Sequence, residues 1–484
     1  MQHPFPLVAP SLVPVLDPGF RPPILCNRAY DKMVADAGEA VPVALCLERD
    51  GGRVSRFDTH VLPLDHPQAA ANYAYIERLV KFLVWQWGGW KLTVGGPAPL
   101  GRFLAYLYSP MGPRHFDAEL WGEFVHEQPF VVDTVAFADA PPASGLSGSE
   151  IHLDWKGWRV GFDLGASDRK VAVVKDGQLA KSAAGPPVFS EEFIWDPRPQ
   201  TEPEWHYRQI NEILKAARDA IKEVDPDAEI QAIGGSSAGV YVDGRVRIAS
   251  LFRGVEPRSR FEAAVAPLFH RLRDEWGVPF RLENDGDVTA LAGAIALNDG
   301  AVLGLAMGSS LAAGYVDDAK RIVGWKNELA FAPVDYNPRA VADEWSGDRG
   351  VGANYFSQQA VARLIADAGI TIDDIPADAL PKRLVRVQEL MRAGDERAAK
   401  IYQTIGRYFG YTVAWYAEFY QPLRHIEVLG RVMSGEGGQM ILDEARAVLK
   451  SEFPEYTKRI QFYEPNELEK RHGQAAAAAS LPIA

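Results

Sequence analysis

The chain has 484 residues, too many for one hydrophobic core, so two or three domains are expected. Its 47% apolar and 24% charged content is that of a globular protein, and its formal charge of −13 disfavours a general nucleic-acid or anionic-membrane binder. Two cysteines, Cys26 and Cys46, exclude a disulfide framework and a cysteine-rich zinc site and suit a reducing cytoplasm.

Residues 1–40 hold Pro4, Pro6, Pro10, Pro14, Pro18, Pro22 and Pro23 and read as an extended surface arm. The start lacks the basic region of a signal peptide, and no apolar run is long enough to span a bilayer. A cytoplasmic protein is therefore expected. Val43–Leu47 and Val54–Leu62 read as strands around Asp50-Gly51-Gly52. Ala69–Trp87 has helical periodicity, with Tyr75, Leu79, Phe82 and Leu83 on one face, and Trp90–Val94 follows as a strand. Residues 140–149 are the best linker candidate, being rich in Pro, Gly and Ser.

Residues 158–175 read as strand, tight turn, strand. Asp163 ends the first strand, where a buried carboxylate is costly unless a metal or hydrogen bonds compensate it. Gly165 permits the turn, and Ser167 and Lys170 can face a phosphate. An ordinary hairpin with a polar tip is the other reading. His206–Val224 is an amphipathic helix, and the strand Ile230–Ile233 opens into a glycine-rich turn over Gly234–Gly239. Gly235 and Gly239 would let the backbone approach a ligand, or serve a plain loop.

Pro279–Asn284 reads as a strand that delivers Asn284 and Asp285 to its carboxyl end, where ligands bind α/β sheets. A carboxylate there can accept a proton from a bound ligand. Alternatively, Asp285 or Asp287 caps a helix over Val288–Leu297. Ala301–Asp317 is a second strand–turn–strand, with Gly308, Ser309 and Ser310 as N–H and hydroxyl donors at its tip. Glu328 follows. Glu427–Gly438 reads as a strand and Gly-rich turn (Gly430, Ser434, Gly435), with a helix from Gln439 whose N-terminus could face a phosphate or ribose. Residues 474–481 read as a small-residue helix.

In this order these stretches resemble the sugar kinase, Hsp70 and actin superfamily, and more narrowly the ROK family (repressors, open reading frames and sugar kinases). The resemblance implies an α/β fold of two ribonuclease-H-like lobes around a nucleotide cleft. The first would span 151–287 and be joined by a terminal helix, 469–484; the second would span 288–468. Residues 1–150 would be an N-terminal α/β extension. Their order of strand pair, helix, strand and Gly-Gly turn suggests a degenerate copy of the first lobe, or a chance α/β pattern.

The family's roles then fall on this chain as follows. Asp163, Gly165, Ser167 and Lys170 match the first phosphate motif, with Asp163 reaching Mg²⁺ through water. Met307-Gly308-Ser309-Ser310-Leu311 stands for the second, and Gly430, Ser434 and Gly435 for the adenosine motif. Glu283-Asn284-Asp285 matches the catalytic segment, with Asp285 as general base and Asn284 on the substrate. Gly235, Gly239 and Glu328 would line the sugar pocket. Three departures are visible: Phe331 replaces a His, the family's Cys-rich zinc loop is missing around Trp345–Gly352, and Ser250 or Arg253 stands near the place of a sugar-binding Asn. The implied activity is ATP-dependent phosphorylation of a sugar or polyol hydroxyl. Partners would be ATP, Mg²⁺ and a small-molecule sugar, with a homodimer compatible and no zinc, nucleic acid or membrane. The alternative is a sugar- or nucleotide-binding sensor that keeps the fold only. A DNA-binding repressor lacks support, since residues 1–150 show no basic helix pair. An acyl-CoA dehydratase activator would need bridging cysteines that two distant N-terminal ones do not supply.

Overall fold

In the computed structural model, which describes residues 4–145, 148–150, 155–182 and 185–481, the proline-rich start is an arm only as far as residue 22. Pro23 then occupies the first helical turn, where its missing N–H forfeits no bond, and a helix runs Pro23–Asp36. This corrects the single extended arm expected over 1–40. The arm lies on the second lobe. The Leu16 amide donates to Thr404 Oγ1 at 3.1 Å, and the Arg21 amide to Asp335 Oδ1 at 2.8 Å.

The N-terminal sheet contains β1 (Val41–Arg49), β2 (Arg53–Val61), β3 (Lys91–Gly95) and β4 (Val131–Val135), in the order β2-β1-β3-β4. Helix Ala70–Trp87 precedes β3. It turns its aromatic face to the second lobe, with the Phe82 ring 4.2 Å from Phe419 and Trp85 4.5 Å from Phe331, centroid to centroid. The helix crosses from β2 to β3, which lie on either side of β1 and both run antiparallel to it. In the first lobe the strand after the helix runs parallel to the first strand. In strand direction the N-terminal sheet thus differs from the first lobe, of which it was suspected to be a degenerate copy.

The expected linker is anchored. The Ser144 amide bonds Val54 O at 2.9 Å, and β5 (Gly148–Glu150) pairs antiparallel with a strand of the second lobe; residues 146–147 lie outside the described ones.

The first-lobe sheet contains β6 (Trp158–Leu164), β7 (Asp168–Lys175), β8 (Gln178–Leu179), β9 (Ser190–Ile194), β10 (Ile230–Ser237) and, beyond the small hairpin β11 (Val240–Val242) and β12 (Arg245–Ile248), β13 (Phe280–Asn284). Its order is β13-β10-β6-β7-β8, with β9 on β7. The strands β13, β10 and β6 are mutually parallel, so their carboxyl ends emerge side by side. Helix Glu467–Ala478 packs across this sheet. Gly161 and Gly234 permit the approach, because a Cβ on either would lie 1.8 Å from a carbonyl oxygen of that helix.

The second lobe contains β14 (Val302–Met307), β15 (Leu311–Val316), β16 (Arg321–Val323), β17 (His425–Leu429) and β18 (Gln461–Tyr463), in the order β18-β17-β14-β15-β16-β5. A hairpin is again extended by a parallel strand, β17 beside β14. Both lobes are ribonuclease-H-like. Among the described residues, no helix is long and apolar enough to cross a membrane.

Candidate active site

Parallel register brings the polar ends of three strands together. Asp163 on β6 stands opposite Ser236 on β10, and Ser237 stands opposite Asn284 on β13. The helix after β13 begins at Asp285, earlier than the Val288 expected, and Asn284 caps it by accepting from the Gly286 amide at 2.7 Å. Asp285 therefore sits in the first turn and is not the cap. The other end of the Asn284 side chain donates to Gly239 O at 2.7 Å, so its two polar ends both have protein partners.

A cavity of about 380 Å³ opens in front of these ends. It gathers Gly165, Gly239, Asn284, Asp285, Gly308, Ser309, Ser310 and Glu328 from separate parts of the chain. Asp163, Ser167, Lys170, Gly235, Gly430, Ser434 and Gly435 are not in its lining. Gly235 has a different task from the one expected. It lies within β10, and a Cβ there would be 2.2 Å from the Phe162 ring, so it serves sheet packing. The turn expected over Gly234–Gly239 is correspondingly only its last residues, the rest being strand.

Three carboxyls face one another electrostatically. Ser236 donates to Asp163 Oδ1 at 2.6 Å. Burial raises the proton affinity of Asp163, opposed by Lys170 and Ser236 and reinforced by Asp168. Burial, and then the charge of Asp163, push Asp285 up to about 7. Burial, and then the charge of Asp285, push Glu328 up to about 8, against the pull of Lys326. Near neutral pH Asp285 therefore lies close to the midpoint of its titration, and Glu328 favours its protonated form, which can donate a hydrogen bond.

Three turns approach this group. In the first, the Gly165 amide bonds Asp168 O at 2.9 Å, and Trp195 Nε1 donates to Gly165 O at 2.9 Å. Ser167 donates to Asp168 at 3.1 Å, Lys170 lies 3.6 Å from the same carboxylate, and Arg431 Nη2 donates to Ser167 Oγ at 2.9 Å. In the second, Gly308 has room, since a Cβ there meets nothing nearer than Ser310 O at 3.7 Å. In the third, Gly430 has φ +105° and lies against Met307, whose carbonyl would be 2.5 Å from a Cβ. Parallel pairing of β17 with β14 puts the second and third turns side by side. The following helix starts at Glu436, three residues before the expected Gln439, with open Gly435 (φ +70°) before it.

Several site residues carry no signal in sequence. Arg431 bridges the third turn to the first. Trp85 and Leu120, from the N-terminal region, line the cavity, and Trp85 stacks on Phe331. The Trp345 loop on the cavity rim is held by Asp348, which pairs with the buried Lys81 and with Arg114. Lys81 also pairs with Asp117 at 2.8 Å. Among the described residues, no three His, Cys, Asp or Glu side chains gather as a metal cage.

No protein-family model and no curated protein sequence matches the chain. Its structure is similar to that of a ROK family transcriptional regulator, a homologue of the E. coli MLC protein. The TM-score is 0.51 at 15% identity, over 79% of this chain and 88% of the regulator. The fold is that of the ROK family. Two other ROK structures are also similar. One is the ROK hexokinase from Thermus thermophilus, with TM-score 0.48 and 18% identity over 67% of this chain and 97% of the other. The second is a ROK family glucokinase from Streptomyces griseus in complex with glucose and AMPPNP, with TM-score 0.45 and 18% identity over 67% and 98%. In this chain the N-terminal region walls the cavity through Trp85 and holds the Trp345 loop through Lys81.

Proposed function

We propose that the protein is an ATP-dependent kinase that phosphorylates a hydroxyl of a sugar or sugar-like polyol. The observation that carries this reading is the position of Asp285, half-buried in one cavity with two glycine turns and brought to about 7 by burial and Asp163. The substrate hydroxyl would attack the γ-phosphorus while its proton passes to an Asp285 carboxylate oxygen. The bond from the γ-phosphorus to the β,γ-bridging oxygen breaks, and ADP keeps that electron pair. Glu328, when protonated, orients the substrate by donating a hydrogen bond to it. The Ser309 and Ser310 hydroxyls and the turns at Gly165 and Gly430–Gly435 hold the nucleotide. A divalent cation fits beside Asp163, a buried carboxylate with the like-charged Asp285 next to it. Mg²⁺, when bound, would be held there through water and by phosphate oxygens, and supplies charge neutralisation. Lobe closure would exclude water.

The test is ADP release over a sugar and polyol panel, wild type against Asp285→Asn. A base contributes ~10²–10⁴-fold, and the amide keeps the shape. Full activity in Asp285→Asn would refute the assignment.

One observation favours a second reading, a ligand sensor without turnover. Ser167 and Lys170 are already engaged by Asp168, and Arg431 covers Ser167. A wild type that binds a sugar and releases no ADP with any member of the panel would decide for it.

A further inference from the structure

Two loops of the first lobe meet backbone to backbone at the rim of the cavity. A Cβ on Gly254 would lie 2.6 Å from Gln200 O and 2.8 Å from Arg198 O, so 196–200 and 250–254 are locked together. This brings Arg198 and Arg253 to one wall of the cavity that holds Asp285. Among the described residues, neither guanidinium makes a hydrogen bond, ion pair or ring contact, and the buried Arg198 Nε has no partner. Arg198 is held below its ordinary range by burial and then by repulsion from Arg253, against the pull of Asp196. On the second-lobe side the cavity is lined by Asp343, already bonded to the Trp345 and Ser346 amides, and by exposed Glu344. Two like charges converge on a cavity with no carboxylate bonded to either. An anion between them would relieve the repulsion, and guanidinium forks match the oxygens of carboxylate or phosphate.

We propose that Arg198 and Arg253 clamp an anionic group on the acceptor, so that the site takes a sugar acid or a sugar phosphate in preference to a neutral sugar. This rests on the kinase reading and names its substrate class. Arg253 lies near the place where the family resemblance puts a neutral Asn, which is the direction such a change of substrate requires.

The test is calorimetric titration of the full chain at constant ionic strength with glucose, gluconate, glucuronate and glucose 6-phosphate, with and without Mg·AMPPNP. An anionic member should bind at least ~10-fold more tightly than glucose, a difference of about 1.4 kcal/mol. Which member binds separates carboxylate from phosphate. Arg253→Gln, at an exposed position, and Arg198→Gln should each erase that preference and leave Mg·ATP affinity unchanged. Equal binding of neutral and anionic sugars, or unaltered preference in both variants, would overturn the proposal. So would an equal loss of Mg·ATP affinity, which would assign the pair to the nucleotide. Glu344→Gln reproducing the loss would overturn it too, by assigning the pair to lobe closure. ADP release separates the two readings. Turnover of glucose alone sinks the clamp and keeps the kinase, whereas anion binding without ADP release keeps the clamp and sinks the kinase.

Discussion

Asp163 on β6 and Asp285, which directly follows β13, stand at the carboxyl ends of two parallel strands with β10 between them, and the charge of Asp163 is the second cause, after burial, that raises Asp285 to about 7.

Activity should follow the ionised form of Asp285. kcat/KM is expected to rise with pH through about 7, because the protonated carboxyl cannot accept the hydroxyl proton. Asp163→Asn removes the repelling charge and should move the rising limb to lower pH, whatever it does to the maximum. A limb that stays in place would show that Asp163 does not act on Asp285.

The same shifts make a stability prediction of definite sign. Asp285 rises from 3.8 to about 7, and Glu328 from 4.5 to about 8. For a raised carboxyl, the native state holds the proton more tightly than the unfolded chain, so stability is present below the unfolded value and is lost as pH climbs to the folded one. Asp285→Asn and Glu328→Gln should therefore leave stability nearly unchanged at pH 4 and raise it at pH 8. Both groups are half-buried and solvent-screened, so ~1–3 kcal/mol is expected in place of the full 1.36 kcal/mol per unit. Denaturant titrations at the two pH values read this directly.

Lys81 is fully buried between Asp117 and Asp348. Lys81→Met leaves Asp117 buried without its bonded partner and Asp348 held by Arg114 alone, and should cost about 3–5 kcal/mol. Because Asp348 holds the Trp345 loop, substrate KM should rise more than kcat falls. Chemical unfolding and steady-state kinetics check the two halves separately.

Two glycines of the proposed nucleotide site should respond oppositely to a methyl group. Gly430→Ala forces a side chain into φ +105° and against Met307, and should destabilise by ~2 kcal/mol or more. Gly308 has ordinary φ and open space, so Gly308→Ala should be neutral or stabilising by ~0.4–1 kcal/mol. It should nevertheless weaken Mg·ATP, because Gly308 lines the cavity where the phosphates would lie. Thermal unfolding with and without nucleotide separates fold from binding.

What the sequence determined by itself is local. Asp163 near the end of its strand, the delivery of Asn284 and Asp285 by the strand before them, the hairpin turn at Gly308 and the glycine turn after Leu429 are written in a few adjacent residues, because turns depend on side chains within about one turn of the backbone; the cap itself, read as Asp285 or Asp287, is Asn284. Periodicity likewise placed the helices near Ala70–Trp87 and Pro203–Val224. It mistook the arm, which becomes a helix at Pro23, and Gly235, whose neighbour Phe162 comes from another strand. Tertiary structure alone decided the antiparallel direction of β3, the stacking of Trp85 on Phe331, the Lys81–Asp348 anchor, and the meeting of Arg198 with Arg253. These juxtapositions follow from sheet register and from which face of a helix finds which neighbour. They join residues far apart in the chain whose spacing carries no period, so no local preference could announce them.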